Sequence, residues 1–332
     1  MSPALARRRG DPAATSEESD PGLGEGTPPR GRRRRRTATR RASPGHGRWF
    51  GWLYVLPAML VYGVFVLVPM ARTVQYSFYD WNGVGPATGV GFDNYRQVFT
   101  DPELLSTIVH AFELLVFFTV IPIVVGLVVS SLVREVATGR FGTVARTTLF
   151  LPQIVPLVAA AIAWSWMYSS QGLVNQTLSL IGLEQLTRPW LSDFTWALPA
   201  VGLIGSWVMT GLCTVLFLSG MAKIDRSLYE AARVDGAGPV REFFAVTLHG
   251  LRQEIGVCVM ITIIAALASF DVIYASTQGG PGRATLVPGV AIYRLAFTEH
   301  QVGLASALAI VLTVLVLACV LPIQRLVAEK NP

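Results

Sequence analysis

Tyr229-Glu-Ala-Ala-Arg-Val-Asp-Gly-Ala-Gly-Pro-Val-Arg-Glu-Phe-Phe-Ala-Val-Thr-Leu248 is the stretch from which the rest of this sequence is read. It lies in a polar island between two long apolar runs. Ser227 and Glu230 stand at capping-box spacing, which predicts a helix starting at Ser227. Gly236 and Gly238 supply left-handed or open backbone where that helix stops. Pro239 suits the first turn of a second helix. The spacing therefore predicts two short helices joined by a glycine corner. Helices of that length are unstable alone in water. The rest of the chain or a partner protein must hold them.

The surroundings of the island set the fold class. The 332 residues are 52% hydrophobic and only 14% charged, and the apolar residues are clustered. Six runs, 51–71, 111–133, 148–168, 197–218, 255–276 and 304–324, can each cross a hydrocarbon layer roughly 30 Å thick. In lipid the backbone must satisfy its own hydrogen bonds, so the runs are helices. The expectation is an all-α integral membrane protein with six transmembrane helices.

Six spans put both ends on one side, and basic residues choose the side. Twenty-two of the 27 Lys and Arg lie in the tail to Arg48, the second and fourth loops and the C-terminus. The other five are Arg72, Arg96, Arg188, Arg283 and Arg294. Both termini and the polar island are thus expected in the cytoplasm. The chain is read as a multi-pass protein of the cell membrane.

Residues 1–48 read as a disordered basic tail and 49–328 as the membrane domain. The run from Arg30 to Arg41 has no interleaved aromatics and precedes a span. It reads as a membrane-surface anchor rather than a nucleic-acid site. No small-residue cleavage site follows the first apolar run, so that run is expected to be retained. Cys213, Cys258 and Cys319 lie in apolar runs and form no C-x-x-C pair, which makes them small buried hydrophobes.

Glu230-Ala231-Ala232, Gly236 four residues on, and Val246-x-Leu248 ten residues later resemble the EAA loop of the membrane subunits of binding-protein-dependent ABC importers. Gly91-Phe-Asp-Asn-Tyr-Arg-Gln-Val-Phe99 and Phe270-Asp-Val-Ile-Tyr274, leading into Gly279-Gly-Pro-Gly282, are similar to segments of the sugar-type members. One residue departs: His249 stands where the family usually has proline. The resemblance covers residues 50–328. It implies the type I ABC importer permease fold, with a cytoplasmic two-helix coupling hairpin at 221–250. It also implies that Glu230, Ala231, Ala232, Asp235, Gly236 and Ala237 couple the chain to an ATPase subunit.

Catalytic chemistry is thin. There is no G-x-x-x-x-G-K-[ST] phosphate loop, so the chain binds no cofactor of its own by that route. The resemblance implies that ATP and Mg sit on a partner ATPase. His110 and Glu113 share a helical face but are too few for a metal site. Asp271 near the end of the fifth run is either a helix cap or a substrate or gate contact. Trp164 and Tyr168 share a face and can stack on sugars or simply mark a membrane interface. Gly205, Trp207 and Met209 in the fourth span, with Thr262, Ser269, Phe270, Asp271 and Tyr274 in the fifth, complete the candidate path.

The leading reading is a non-enzymatic permease subunit forming half a translocation path for a carbohydrate. The resemblance implies a second permease subunit as heterodimeric partner, ATPase subunits and an extracytoplasmic solute-binding protein. An independent secondary transporter or channel is the alternative, but no cluster of intramembrane carboxylates supports it. An intramembrane enzyme would need converging His and carboxylate groups within the spans, and only His110 with Glu113, and Asp271 in a separate run, come close.

Overall fold

The computed structural model describes residues 48–136 and 139–328. The reading of the arginine-rich tail therefore lies outside the described residues, apart from Arg48, where the first helix (Arg48–Tyr62) begins. The chain falls into two units, Met1–Leu56 and Pro57–Pro332, and the fold described below is that of the second.

Four helices are long and apolar enough to cross a membrane alone: Tyr54–Tyr76, Pro102–Arg134, Ala197–Met221 and Val302–Val327. Two bent pairs supply the others. Thr147–Ile154 meets Leu157–Met167 at 100°, and Pro239–Gly250 meets Arg252–Leu267 at 70°. Counting each pair as one span gives the six expected.

The third run is thus not one straight helix over 148–168. Pro156 has extended ψ (134°) and caps the second piece, and a proline disfavours helix in the residue before it. The fifth run does not continue to 276 either. Its helix stops at Leu267, and a separate short helix spans Asp271–Ser276. The Gly-Pro loop at 279–282 lies beyond this break.

The fourth span is the centre of the subunit. Of its apolar window 67% is buried, against none of the first span's. Its glycines explain the close approach of the second span. A Cβ on Gly202 would stand 2.5 Å from the Phe117 ring, and one on Gly205 2.1 Å from the Phe118 ring. Phe117 and Phe118 sit in a π-helical turn, Val116–Val120. Pro122 follows and has no N–H to donate back. Ser206 Oγ donates to the Phe117 carbonyl instead, at 2.6 Å. The π turn and the small residues opposite it form one packing unit.

The segment after the first span is tied down by polar side chains. A short helix forms over Asp93–Thr100. Asn94 Nδ2 donates to the carbonyls of Ser77 (3.0 Å) and Tyr79 (2.9 Å), and Tyr95 pairs its hydroxyl with Ser77 at 2.7 Å. The Gly91-Phe-Asp-Asn-Tyr segment thereby clamps the end of the first span. Gly303 lets the last span meet this turn, since a Cβ there would strike the Tyr79 carbonyl.

Candidate functional site

The polar island folds as a two-helix hairpin. Its first helix is Arg226–Val234 and its second runs from Pro239 through a π turn to Gly250. The start differs from the capping box expected at Ser227. Asp225 is the cap, accepting the Ser227 amide at 2.9 Å. Hydrogen bonds from the Ser227 amide and hydroxyl hold the Asp225 carboxyl below its ordinary pKa.

The corner is as the glycines predict. Gly236 has φ +77°, and no atom lies within 4 Å of where its Cβ would be. Gly236 N–H bonds the Arg233 carbonyl and Ala237 N–H bonds the Ala232 carbonyl. That pair of bonds is a Schellman stop. Gly238 is extended and leads into Pro239 at the first turn of the next helix.

Three contacts then fix the hairpin as a unit. Arg233 makes a two-pronged ion pair with Glu242, at 2.8 and 3.3 Å. Tyr229, buried, pairs its hydroxyl with Thr247 at 3.2 Å. The Arg134 guanidinium, at the end of the second span, lies 3.6 Å above the Tyr229 ring. Glu230, Ala231, Asp235 and Gly236 remain exposed along one edge, while Ala232 and Ala237 are half-buried. Val234 (88% exposed) and Val240 (71%) add apolar surface beside the corner. Sequence reasoning passed over Arg134, Val234 and Val240. A large apolar residue beside a glycine corner was the legible signal for Val234.

His249 does not keep the exit straight. The helix ends at Gly250, and Leu251 (φ −91°, ψ 4°) makes the 70° bend without a proline. Gly220 accepts this elbow closely, with Leu251 and Glu254 carbons under 3 Å from its would-be Cβ. Lys223 pairs with Glu254 at 3.1 Å across the neck.

The candidate path residues separate into two sets. Trp164 and Tyr168 do share a face, with centroids 5.3 Å apart, and Trp207 packs on Trp164 at 5.8 Å. Phe270 and Tyr274 stack at 5.0 Å, and Tyr293 sits against both. Phe297 continues this row from Tyr293. Tyr293 and Phe297 were not singled out in the sequence, because 19 or more residues separate them from Tyr274. Gly205 and Thr262 belong elsewhere. Gly205 is filled by Phe118, and Thr262, fully buried, bonds the Cys258 carbonyl. Met209 is half-buried against the core.

Ser269 is buried at the break in the fifth span, and its hydroxyl has no partner among the described residues. Gly289 lets the chain that follows the Gly-Pro loop press on its carbonyl, 2.8 Å from a would-be Cβ. Asp271 opens the short helix that follows. It is exposed, and no side chain caps that helix. The capping role considered for Asp271 is therefore not the one it plays. His110 and Glu113 do not pair either, since His110 Nδ1 meets the Leu286 carbonyl at 2.9 Å. Among the described residues, no three His, Cys, Asp or Glu groups converge as metal ligands.

Comparison with known proteins matches residues 123–330 to the family described as binding-protein-dependent transport system inner membrane component. The probable ABC transporter permease protein YurN of Bacillus subtilis is 34% identical over 269 residues, 80% of this chain and 92% of that one. The sulfoquinovosyl glycerol transport system permease protein SmoG of Agrobacterium fabrum is 30% identical over 86% of this chain and 95% of its own. Among solved structures, a bacterial ABC transporter involved in import of the acidic polysaccharide alginate superposes with a TM-score of 0.72. It covers 86% of this chain and 96% of its own at 23% identity, a likeness of fold.

Proposed function

The chain belongs to the inner-membrane-component family of binding-protein-dependent transport systems, and from that premise we infer that its cargo is a carbohydrate. It is a permease subunit of an ABC importer, not an enzyme. The observation that carries the reading is the hairpin: a rigid, solvent-facing element inside the matched segment, clamped by Arg233–Glu242 and Arg134–Tyr229. Such an element suits insertion into the cleft of an ATPase. Glu230, Asp235 and the exposed Val234 would meet that partner first.

The ATPase binds ATP and Mg on its own chain. A second permease subunit completes the path, and a solute-binding protein delivers cargo outside. Both termini and residues 221–250 face the cytoplasm. The sugar reading is supported by the cargo named for relatives such as SmoG and by two rows of aromatic rings. Flat rings stack on the apolar faces of pyranoses, and Asp271 adds an exposed acceptor beside one row. Trp164, Phe270, Asp271 and Tyr274 are the path residues this reading retains. A secondary transporter would leave the docking hairpin without a role.

Affinity purification in mild detergent tests the assembly. An ATPase and a second permease should be recovered together. Recovery of this chain alone, still transporting in vesicles without ATP, would overturn the reading. Topology is tested with Glu299→Cys, which should label from outside sealed cells. Labelling only after permeabilisation would reverse the orientation.

A further inference from the structure

Two cavities meet where the second span ends at Arg134. The larger, about 500 Å³, lies under the first hairpin helix and is lined by Arg134, Arg226, Arg233 and Tyr229, with Glu230 and Glu242. The smaller, about 270 Å³, runs beside the second hairpin helix. Its walls are mainly apolar, Val128 and Leu132 from the span and Pro239, Val240 and Phe243 from the hairpin, with Ser131 and Thr247 among them. Arg134 and Glu242 line both, so the two are neighbours.

We propose that this paired cavity binds an anionic phospholipid of the cytoplasmic leaflet, phosphate among the arginines and acyl chain along Val128 and Leu132. The charge arithmetic favours an anion. Glu242 is already engaged by Arg233. Arg226 makes no hydrogen bond or ion pair with the described residues. Arg134 spends only the face of its guanidinium, on Tyr229. Its in-plane N–H groups stay available, and they suit a phosphate's paired oxygens. Glu230 is the one opposing carboxylate left without a partner among the described residues. Basic pockets at the cytoplasmic ends of transmembrane helices hold lipid head groups in this way.

The second cavity selects lipid over a soluble anion or an acidic protein side chain. Val128 is 52% and Leu132 58% exposed, one helical turn apart on the outer face of the span. An acyl chain reaches them directly from the bilayer. A bare phosphate or a carboxylate would leave this groove unfilled. The bound lipid would wedge between the span and the hairpin, at the Arg134–Tyr229 contact that joins them. The proposal rests on the permease reading only for placing the hairpin at the cytoplasmic membrane surface.

The test uses the full chain in nanodiscs of phosphatidylcholine with a minor share of phosphatidylglycerol. Native mass spectrometry counts the phosphatidylglycerol retained per subunit. At about 1 kcal/mol per arginine near the surface, Arg134→Gln with Arg226→Gln should weaken retention roughly 30-fold. Arg241→Gln, which removes one charge from the same hairpin but outside both cavities, should retain the lipid. Arg134→Lys should keep part of it, which separates lost charge from collapse around Tyr229. Excess inorganic phosphate should displace little, because it cannot fill the groove. Unchanged retention in the double variant, equal loss in Arg241→Gln, or ready displacement by phosphate would each overturn the proposal. So would a double variant that keeps its lipid but no longer holds the ATPase, since the cavity would then take an acidic side chain of that protein. Lipid is counted without any transport assay, so this result and the import result fail independently.

Discussion

Arg233 and Glu242 face each other across the Gly236 corner, with Arg233 Nε donating to Glu242 Oε2 at 2.8 Å and Nη2 to Oε1 at 3.3 Å. The two are unequally placed: 63% of the Arg233 side chain is exposed, against 10% of Glu242. Removing Glu242 frees an arginine that water can solvate. Removing Arg233 leaves a nearly buried carboxylate short of its main donor. Arg233→Ala should therefore loosen the hairpin by roughly 2 kcal/mol, a charged hydrogen bond left unmade. Glu242→Ala should cost about 1 kcal/mol, as for a pair with one exposed member. Hydrogen exchange of the hairpin amides measures both. The opposite order would mean that burial does not govern the pair.

At Gly236 the constraint is conformation, not space. A side chain would meet nothing within 4 Å, but φ is +77°. A β-branched residue resists this region at a cost of about 1 kcal/mol or more, whereas asparagine visits it more readily. Gly236→Val should insert in the membrane yet lose ATPase docking or coupled transport. Gly236→Asn should keep most of it. Equal transport by both variants, with normal stimulated ATPase activity, would remove the corner from the mechanism.

Gly205 presents the reverse case. Its helical backbone suits any residue, but a Cβ would enter the Phe118 ring at 2.1 Å. Gly205→Ala should destabilise the subunit by about 1–3 kcal/mol through overpacking. Phe118→Leu in the same chain should recover part of that loss. Thermal unfolding in detergent reads the cycle. Loss of transport in Gly205→Ala with unchanged stability, and no recovery by Phe118→Leu, would restore Gly205 to the path.

These positions show what a sequence of this kind discloses. Apolar run length disclosed the spans, four of them single helices and two more if each bent pair counts as one, because the bilayer sets a common length. The Gly236 stop and the Pro239 start were legible, since glycine and proline write backbone geometry directly. The break after Leu267 was not, because neither glycine nor proline marks Ala268, Ser269 or Phe270. The cap at Asp225 was displaced by two residues from the expected Ser227, as two capping residues on either side of Arg226 compete for one helix start. Contacts between distant segments stayed hidden. Gly205 against Phe118, Tyr293 against Tyr274 and Arg134 against Tyr229 follow from how the spans pack, and no local pattern encodes that.

The cap makes a prediction about pH. Asp225 has its carboxyl held below the ordinary value by Ser227. A depressed folded pKa adds stability that is complete above the unfolded pKa, about 3.9, and is lost as pH falls through the folded value. Protection of the first hairpin helix against hydrogen exchange should be flat from neutral pH down to about 5 and fall only below about 4. Asp225→Asn keeps a capping oxygen without the titration, so its contribution should not vary there. A loss of protection centred near neutral pH in the native chain, absent in Asp225→Asn, would mean that the carboxyl is raised rather than lowered.

Asp271 is the residue whose fate the structure changes most. The sequence left two roles for it, cap or substrate contact, and no side chain caps the helix Asp271–Ser276. The carboxylate is exposed and bonds no other described residue. Its neighbours Phe270 and Tyr274 are stacked rings, not donors aimed at it. Among the described residues, then, no hydrogen bond or ion pair ties the charge to the fold. Beside the end of a span an ionisable group still carries a desolvation cost, so a use for it lies outside the chain. Asp271→Asn and Asp271→Leu should both yield normal amounts of folded protein. Both should lose sugar uptake by tenfold or more, about 1.4 kcal/mol or more of lost contact. Uptake is measured with labelled sugar in cells at matched protein levels. Normal uptake in Asp271→Asn would show that the charge is idle in transport. A fall in folded protein for Asp271→Leu alone would instead assign Asp271 to the seam with the second permease subunit.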